Sequence, residues 1–209
     1  MTLDDARQSL RAELRARRKA LHASERIAAA NGVAESLEQL ADFLVDQRIA
    51  GYWAIDGELP LHIVVSNLAR RDQQYCLPRI TGPRRLSFVP WKSGADLESN
   101  RYGIPEPVCT KEDLLEPAEL DLVLLPLLGF DRRGGRIGYG GGYYDASFAF
   151  LRERHEATRP LLVGVAYSAQ EIDAIEQAPW DVRLDYVATE TELIDCWEFS
   201  SSEHGGTRD

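Results

Sequence analysis

Two adjoining stretches constrain this chain more than any others: the run Leu-Asp-Leu-Val-Leu-Leu at 120–125, stopped by Pro126, and the seventeen residues 129–145. A leucine-rich run ended by proline reads as a buried strand of the kind found inside parallel sheets. Just beyond it comes Gly-Phe-Asp-Arg-Arg-Gly-Gly-Arg-Ile-Gly-Tyr-Gly-Gly-Gly-Tyr-Tyr-Asp, with seven glycines among arginines, tyrosines and aspartates. A flexible linker would instead mix Gly with Ser. Glycines let successive N–H groups turn toward one point, where they can hold an anion. Arg132, Arg133 and Arg136 add positive charge, and Asp145 closes the run with a carboxylate able to take a metal ion. In open parallel sheets ligands sit beyond the carboxyl ends of strands, so the position of this segment itself points to a binding site.

The remaining patterns supply a frame for such a sheet. Leu3, Leu10, Leu14 and Leu21 recur at helical spacing over 4–21, and Arg7, Arg11, Arg15 and Arg18 line an adjacent face. Ser24 predicts the cap of a second helix reaching about residue 44. Strands are predicted at 48–55, 75–77, 86–89, 120–125, 161–166 and 186–189, with helices at 60–71, 143–154 and 171–176. Asp56-Gly57 marks a turn, and 93–107 reads as loop. Alternating strands and helices predict a single three-layer α/β domain over 1–197, a largely parallel sheet with helices on both faces. Residues 198–209 read as a disordered tail.

Charge narrows the partners. The formal net charge of −10 argues against a nucleic-acid surface. Yet residues 1–26 are net +3 and the remainder −13, so a basic helix on an acidic body faces an anionic ligand. No run approaches the roughly 18 apolar residues of a membrane span. The N-terminus lacks the apolar core of a signal peptide, which predicts a cytoplasmic protein. Cys76, Cys109 and Cys196 fit neither metal spacing nor a disulfide framework. The four histidines lie in predicted helices or the tail and support no Ser/His/Asp set. The Gly-x-x-x-x-Gly-Lys-Ser/Thr loop is absent, and the glycines from Gly138 miss the dinucleotide pattern at its sixth place, Tyr143.

Residues 125–145 closely resemble the signature of the 5-formyltetrahydrofolate cyclo-ligase family, also called methenyltetrahydrofolate synthetases. Arg7-x-x-Leu10-Arg11, the stretch from Tyr52 to Glu58, Pro78-Arg79, Gly103-Ile104-Pro105-Glu106-Pro107 and Asp181-Val182-Arg183-Leu184-Asp185 resemble further family elements in order, over about residues 6–190. The resemblance implies ATP-dependent conversion of 5-formyltetrahydrofolate to 5,10-methenyltetrahydrofolate, with release of ADP and phosphate. It implies a monomer acting on a reduced folate, with or without a polyglutamate tail. A paralogue or a non-catalytic nucleotide- or folate-binding regulator is the alternative.

By the same resemblance, ATP is held by Arg7, Arg11, Arg136 and the loop Gly138, Tyr139, Gly140, Gly141, Gly142, Tyr143 and Tyr144, with Arg136 and Tyr143 serving catalysis. Mg²⁺ falls to Asp145 and Asp181, with Asp185 ranked below them. The folate falls to Trp53, Glu58 and Tyr102. The chain departs from the family pattern in three places. Arg7 stands where lysine is frequent, Trp180 where many members have histidine, and Gly141 where some are basic, so the phosphate grip leans on Arg136 and the N-terminal helix.

Overall fold

The computed structural model describes residues 3–199. In chain order the helices are α1 (Leu3–Lys19), α2 (Ala23–Leu37), α3 (Ala41–Val45), α4 (His62–Arg70) and α5 (Tyr143–Ser147). The strands are β1 (Arg48–Ala50), β2 (Gln74–Gly82), β3 (Arg85–Pro90), β4 (Leu97–Ser99), β5 (Pro105–Pro107), β6 (Leu122–Pro126), β7 (Gly129–Phe130), β8 (Arg136–Ile137), β9 (Leu161–Val165), β10 (Tyr186–Ala188) and β11 (Leu193–Asp195).

Seven strands form one sheet in the order β11-β10-β9-β6-β1-β2-β3. The inner pairings, β10 with β9, β9 with β6, β6 with β1 and β1 with β2, are parallel, while β3 and β11 close the two edges antiparallel. The leucines of β6 place it between β1 and β9, where its side chains alternate between faces as strand geometry requires. Leu122 and Leu124 join Ile49, Leu77 and Val163 beneath α2 and α4. Val123 and Leu125 join Ala50, Cys76 and Leu162 beneath Phe148 and Leu151. The predicted α/β layering, with helices on both faces, is observed.

This layering determines where a site can form. From β1 the chain crosses through α4 to β2 on one side, and from β6 it crosses through α5 to β9 on the other. Right-handed crossovers in opposite directions put those helices on opposite faces. The segments leaving the carboxyl ends of β1 and β6 therefore part at this switch point, the place where open α/β sheets bind ligands.

Several predicted boundaries shift for local reasons. His22, not Ser24, precedes α2, and the Glu25 carboxylate accepts the His22 N–H at 2.6 Å. The expected second helix breaks after Leu37 and resumes as α3. β1 ends at Ala50, because the chain leaves the sheet at Gly51, where a Cβ would lie 2.3 Å from the Tyr75 hydroxyl. β2 continues through Pro78, which pairs with Phe88. Phe88 directs its N–H and C=O to Leu115, away from β2, so the Pro78 nitrogen faces the side where β1 has already ended.

The predicted loop 93–107 contains the β4–β5 hairpin. The predicted helix 143–154 is α5 plus a 3₁₀ turn at Ala149–Leu151, and 171–176 forms no helix, a 3₁₀ turn at Ser168–Gln170 preceding it. Of the predicted tail, Glu198 and Phe199 are helical, and residues 200–209 lie outside the described residues. Among the described residues no helix is long and apolar enough to cross a membrane. Cys76 and Cys196 are buried, and burial pushes both thiols up to about 12.

Asp46, 2 % exposed, carries a pH-dependent part of the stability. Burial, with Asp121 and Asp42 nearby, raises its carboxyl from 3.8 to about 6 despite the Arg159 guanidinium 2.6 Å away. The folded chain thus binds this proton more tightly than the unfolded one. Its stabilising contribution is full below pH 3.8 and declines as pH rises through about 6. Asp46→Asn is expected to remove that decline, on the order of 3 kcal/mol across this interval. Urea unfolding at a series of pH values checks this, and an unchanged slope in the variant would refute it.

Candidate active site

The site begins with α1. Leu14 packs with Leu128, Ile137 and Ile175, laying the helix across the β7–β8 hairpin. The approach is close enough that a Cβ on Gly129 would meet Leu14 at 2.6 Å. Residues flanking Leu14 are thereby carried inward, and the arginine stripe becomes a set of anchors. Arg7 donates to the Glu176 carbonyl at 2.6 Å and to both carboxylate oxygens of Asp181. Arg11 Nε donates to the Gly138 carbonyl at 3.0 Å. Arg18, 1 % exposed, donates to the Asp56 carbonyl and the Tyr139 hydroxyl, both at 2.7 Å.

The glycine segment divides into two parts. Its first half is a built turn. The buried Asp131 carboxylate accepts N–H groups from Arg133 at 2.9 Å, Gly135 at 2.8 Å and Ile175 at 2.8 Å. Gly134 sits at φ +83°, and a Cβ there would meet the Leu184 carbonyl at 2.5 Å. Arg132 is taken by Glu171 and Glu192, and Arg133 reaches the Asp173 carbonyl. Neither supplies the charge expected of it at an anion site, because both tie the turn to more distant chain.

The second half, residues 138–142, is open. Gly140 and Gly142 sit at φ +96° and +67°. Among the described residues the N–H groups of Gly140, Gly141 and Gly142 have no acceptor within the chain. Arg11 borders Gly140, and Arg84, at the β2–β3 tip with φ +53°, borders Gly142. Sequence reasoning missed Arg84. Its signal was a basic pair after Pro83 between two strands, an exposed turn whose tertiary neighbour no local pattern reveals.

Two carboxylate–arginine pairs close this end. Arg136 donates to Asp145 and to the Val182 carbonyl, and Asp145 also accepts the Val182 N–H at 3.1 Å. Asp181, next in sequence to Val182, accepts Arg7 and the Ala178 N–H. The two predicted metal ligands thus flank one residue, and each is neutralised by an arginine assigned to phosphate. Among the described residues no three His, Cys, Asp or Glu side chains gather into a metal cluster. Two hard carboxylates nonetheless fit Mg²⁺, which takes one or two of them and completes its shell with phosphate oxygens and water. Asp185 is structural: fully buried, it accepts Arg154, the Leu162 N–H and the Trp197 indole N–H.

The other end is the turn after β1. Asp56 and Gly57 both sit at positive φ, +48° and +78°, so Glu58 N–H reaches back to the Ile55 carbonyl at 2.9 Å. The buried Glu58 carboxylate accepts the Ile55 N–H at 2.9 Å. Burial raises its pKa, opposed by the Ile55 N–H, the Tyr139 hydroxyl and Arg18. Tyr139 therefore sends its side chain out of the glycine loop toward Glu58. Trp53 is 37 % exposed and meets Trp91 edge-on at 5.9 Å, a surface position and not a core one.

Tyr102 lies at the β4–β5 turn, its N–H donated to Asn100 Oδ1 at 2.8 Å, while Asn100 Nδ2 and the Ile80 N–H both donate to Glu106. Its hydroxyl lies 3.1 Å from that of Tyr143, which also receives Arg101. Tyr102 and Arg101 together draw the Tyr143 phenol below its usual value. Tyr144 stacks on Phe148 at 6.3 Å, and burial and the nearby Glu58 charge raise its phenol against the opposing Arg136.

An open glycine loop, bordered by arginines and carboxylates at a sheet switch point, defines an α/β protein built to bind an anionic ligand. A family model for the 5-formyltetrahydrofolate cyclo-ligase family matches residues 4–190. The chain belongs to the 5-formyltetrahydrofolate cyclo-ligase family. It is 29% identical to the Haemophilus influenzae 5-formyltetrahydrofolate cyclo-ligase over 180 residues, covering 85% of this chain and 94% of that one. It is 28% identical to the Escherichia coli K12 enzyme of the same name, covering 89% of this chain and 100% of that one. The solved Aquifex aeolicus 5,10-methenyltetrahydrofolate synthetase superposes with a TM-score of 0.76 at 28% identity, covering 91% of this chain and 92% of that one.

Asp131→Ala is expected to lower stability by about 3–5 kcal/mol, since three backbone N–H groups lose their acceptor. Denaturant unfolding measures this. A loss below about 1 kcal/mol would show that the turn holds without the carboxylate.

Proposed function

We propose that this cyclo-ligase-family enzyme divides its ATP-dependent ring closure between the two ends of the crevice. ATP lies along residues 138–142, with Arg7, Arg11, Arg84 and Arg136 meeting its phosphates, and the pterin of 5-formyltetrahydrofolate lies at Glu58. The observation that carries this reading is the meeting of the two ends at Gly138-Tyr139. Arg11 holds the Gly138 carbonyl, while the hydroxyl of the next residue faces Glu58.

A formamide oxygen is a poor leaving group. The γ-phosphoryl group passes to that oxygen, forming an O–P bond as the bond to ADP breaks. N10 then attacks the formyl carbon, the C–O bond breaks, phosphate departs and the N10 proton is lost. Phosphoryl transfer depends on alignment and charge neutralisation, not on covalent help from the protein. The three unpartnered loop amides and the bordering arginines are suited to that task. Tyr143, whose hydroxyl meets Arg101 and Tyr102 at the loop's end, offers its phenol to hydrogen-bond the transferring group. Glu58 accepts pterin N–H groups, and the exposed Trp53 indole and Tyr102 ring offer apolar faces beside it. Asp145 and Asp181 would hold Mg²⁺, which when bound neutralises phosphate charge.

The acidic body and the single basic helix support a small anionic partner for a monomeric cytoplasmic enzyme acting on mono- or polyglutamyl folates. A diverged paralogue would keep the loop and lack turnover.

Purified protein given 5-formyltetrahydrofolate, ATP and Mg²⁺ is expected to develop methenyl-folate absorbance, and folded protein without product would sink the reading. Asp145→Ala is expected to lower kcat by about 10²-fold or more with folate affinity nearly unchanged. Glu58→Gln is expected to weaken folate binding about 10- to 100-fold, leaving ATP affinity alone. Parallel losses of both affinities in either variant would count against the division into two ends.

A further inference from the structure

Tyr139 belongs to the open glycine loop by its backbone and to the Glu58 turn by its side chain. Its neighbour Gly138 is held through its carbonyl by Arg11. Its ring lies under two guanidinium groups, Arg15 at 5.4 Å and Arg18 at 5.5 Å. Its hydroxyl receives Arg18 Nη2 at 2.7 Å, and the same nitrogen donates to the Asp56 carbonyl at 2.7 Å and to Asp56 Oδ2 at 3.2 Å. Asp56 opens the turn that projects Glu58, and the Glu58 carboxylate faces the Tyr139 hydroxyl. One side chain and one buried cation thus span the distance from the loop to the turn.

The hydrogen bonding of Arg18 argues that this link serves position more than stability. Its Nη2 carries three acceptors, while its buried Nε and Nη1 have no hydrogen-bond partner among the described residues. Unsatisfied buried donors destabilise a fold. A guanidinium chosen for stability alone would spread its donors, yet this one concentrates them where the turn and the tyrosine meet.

We propose that Arg18 and Tyr139 are positioning residues that couple folate binding at Glu58 to ordering of the glycine loop, so that each ligand tightens the binding of the other. The inference rests on the two-ended reading above. A folate that fixes Glu58 fixes the hydroxyl facing it, and through the tyrosine backbone limits the conformations open to Gly138 and Gly140. The loop then loses less freedom when phosphate arrives. Linkage makes the effect reciprocal.

The test is calorimetry on the full chain with a non-hydrolysable ATP analogue and Mg²⁺, with and without saturating 5-formyltetrahydrofolate. In the wild type the folate is expected to tighten the analogue about 5- to 10-fold, and the analogue to tighten the folate by the same factor. Tyr139→Phe keeps the ring beneath Arg15 and Arg18 and removes the hydroxyl. It is expected to bring the coupling factor, the ratio of analogue affinities with and without folate in that same variant, close to one. Amide hydrogen exchange gives a second readout: folate alone should slow exchange at Gly140, Gly141 and Gly142 in the wild type and not in the variant. A wild-type coupling factor of one, or an undiminished factor in Tyr139→Phe, overturns the proposal while both ligands still bind. A wild-type chain that fails to bind the folate overturns the functional reading, and this inference with it.

Discussion

A guanidinium taken out of water must be hydrogen-bonded or neutralised, and much of this site follows from meeting that demand for one helix. Leu14 holds α1 against the β7–β8 hairpin so closely that Arg7 and Arg18 lose nearly all contact with solvent. Their partners then come from three distant places: Asp181 and Glu176 in the segment before β10, Asp56 after β1, and Tyr139 in the glycine loop. Each partner is itself part of the crevice. The helix is therefore less a cover for the sheet than a clamp that fixes the relative positions of the loops above it.

That clamp is needed because the sheet alone does not unite its loops. At the switch point the chain leaves β1 and β6 in opposite directions, and the two segments share no backbone ladder beyond the strand ends. Asp131 solves half of the problem by folding the first part of the glycine segment into a turn bound to Ile175. It leaves residues 138–142 without comparable support, so rigid and open backbone sit side by side. Glycines of this segment accordingly do two kinds of work. Gly129 and Gly134 admit close neighbours, while Gly140 and Gly142 supply positive φ in the open loop.

Features whose signal is periodic or contiguous could be read from the residues. The leucine and arginine spacing showed α1, the leucine run showed β6, and the alternation of elements implied the layered sheet. β4, β5, β7, β8 and β11 were missed, being two or three residues long with prolines at both ends of β5, whereas the equally short β1 sits at the head of the longer apolar run 48–55. At the site, family resemblance singled out Glu58, Arg136, Asp145 and Asp181 as candidates, but their pairings were not legible. Arg132 meets Glu192 across 60 positions and Arg7 meets Asp181 across 174, distances that only the fold closes. Arg84 and Arg101 stand in turns where a basic residue is ordinarily just a solvated one.

The pairs Arg7–Asp181 and Arg136–Asp145 each cancel their own charge on a chain of net charge −10. An anion that draws away either arginine uncovers a carboxylate at the same moment. The negative charge of the ligand and that of the newly exposed aspartate then lie together in partly dehydrated surroundings, where repulsion is strong. Under the proposed binding mode such a site would act as an exchanger, taking up an anion most readily when a cation arrives with it.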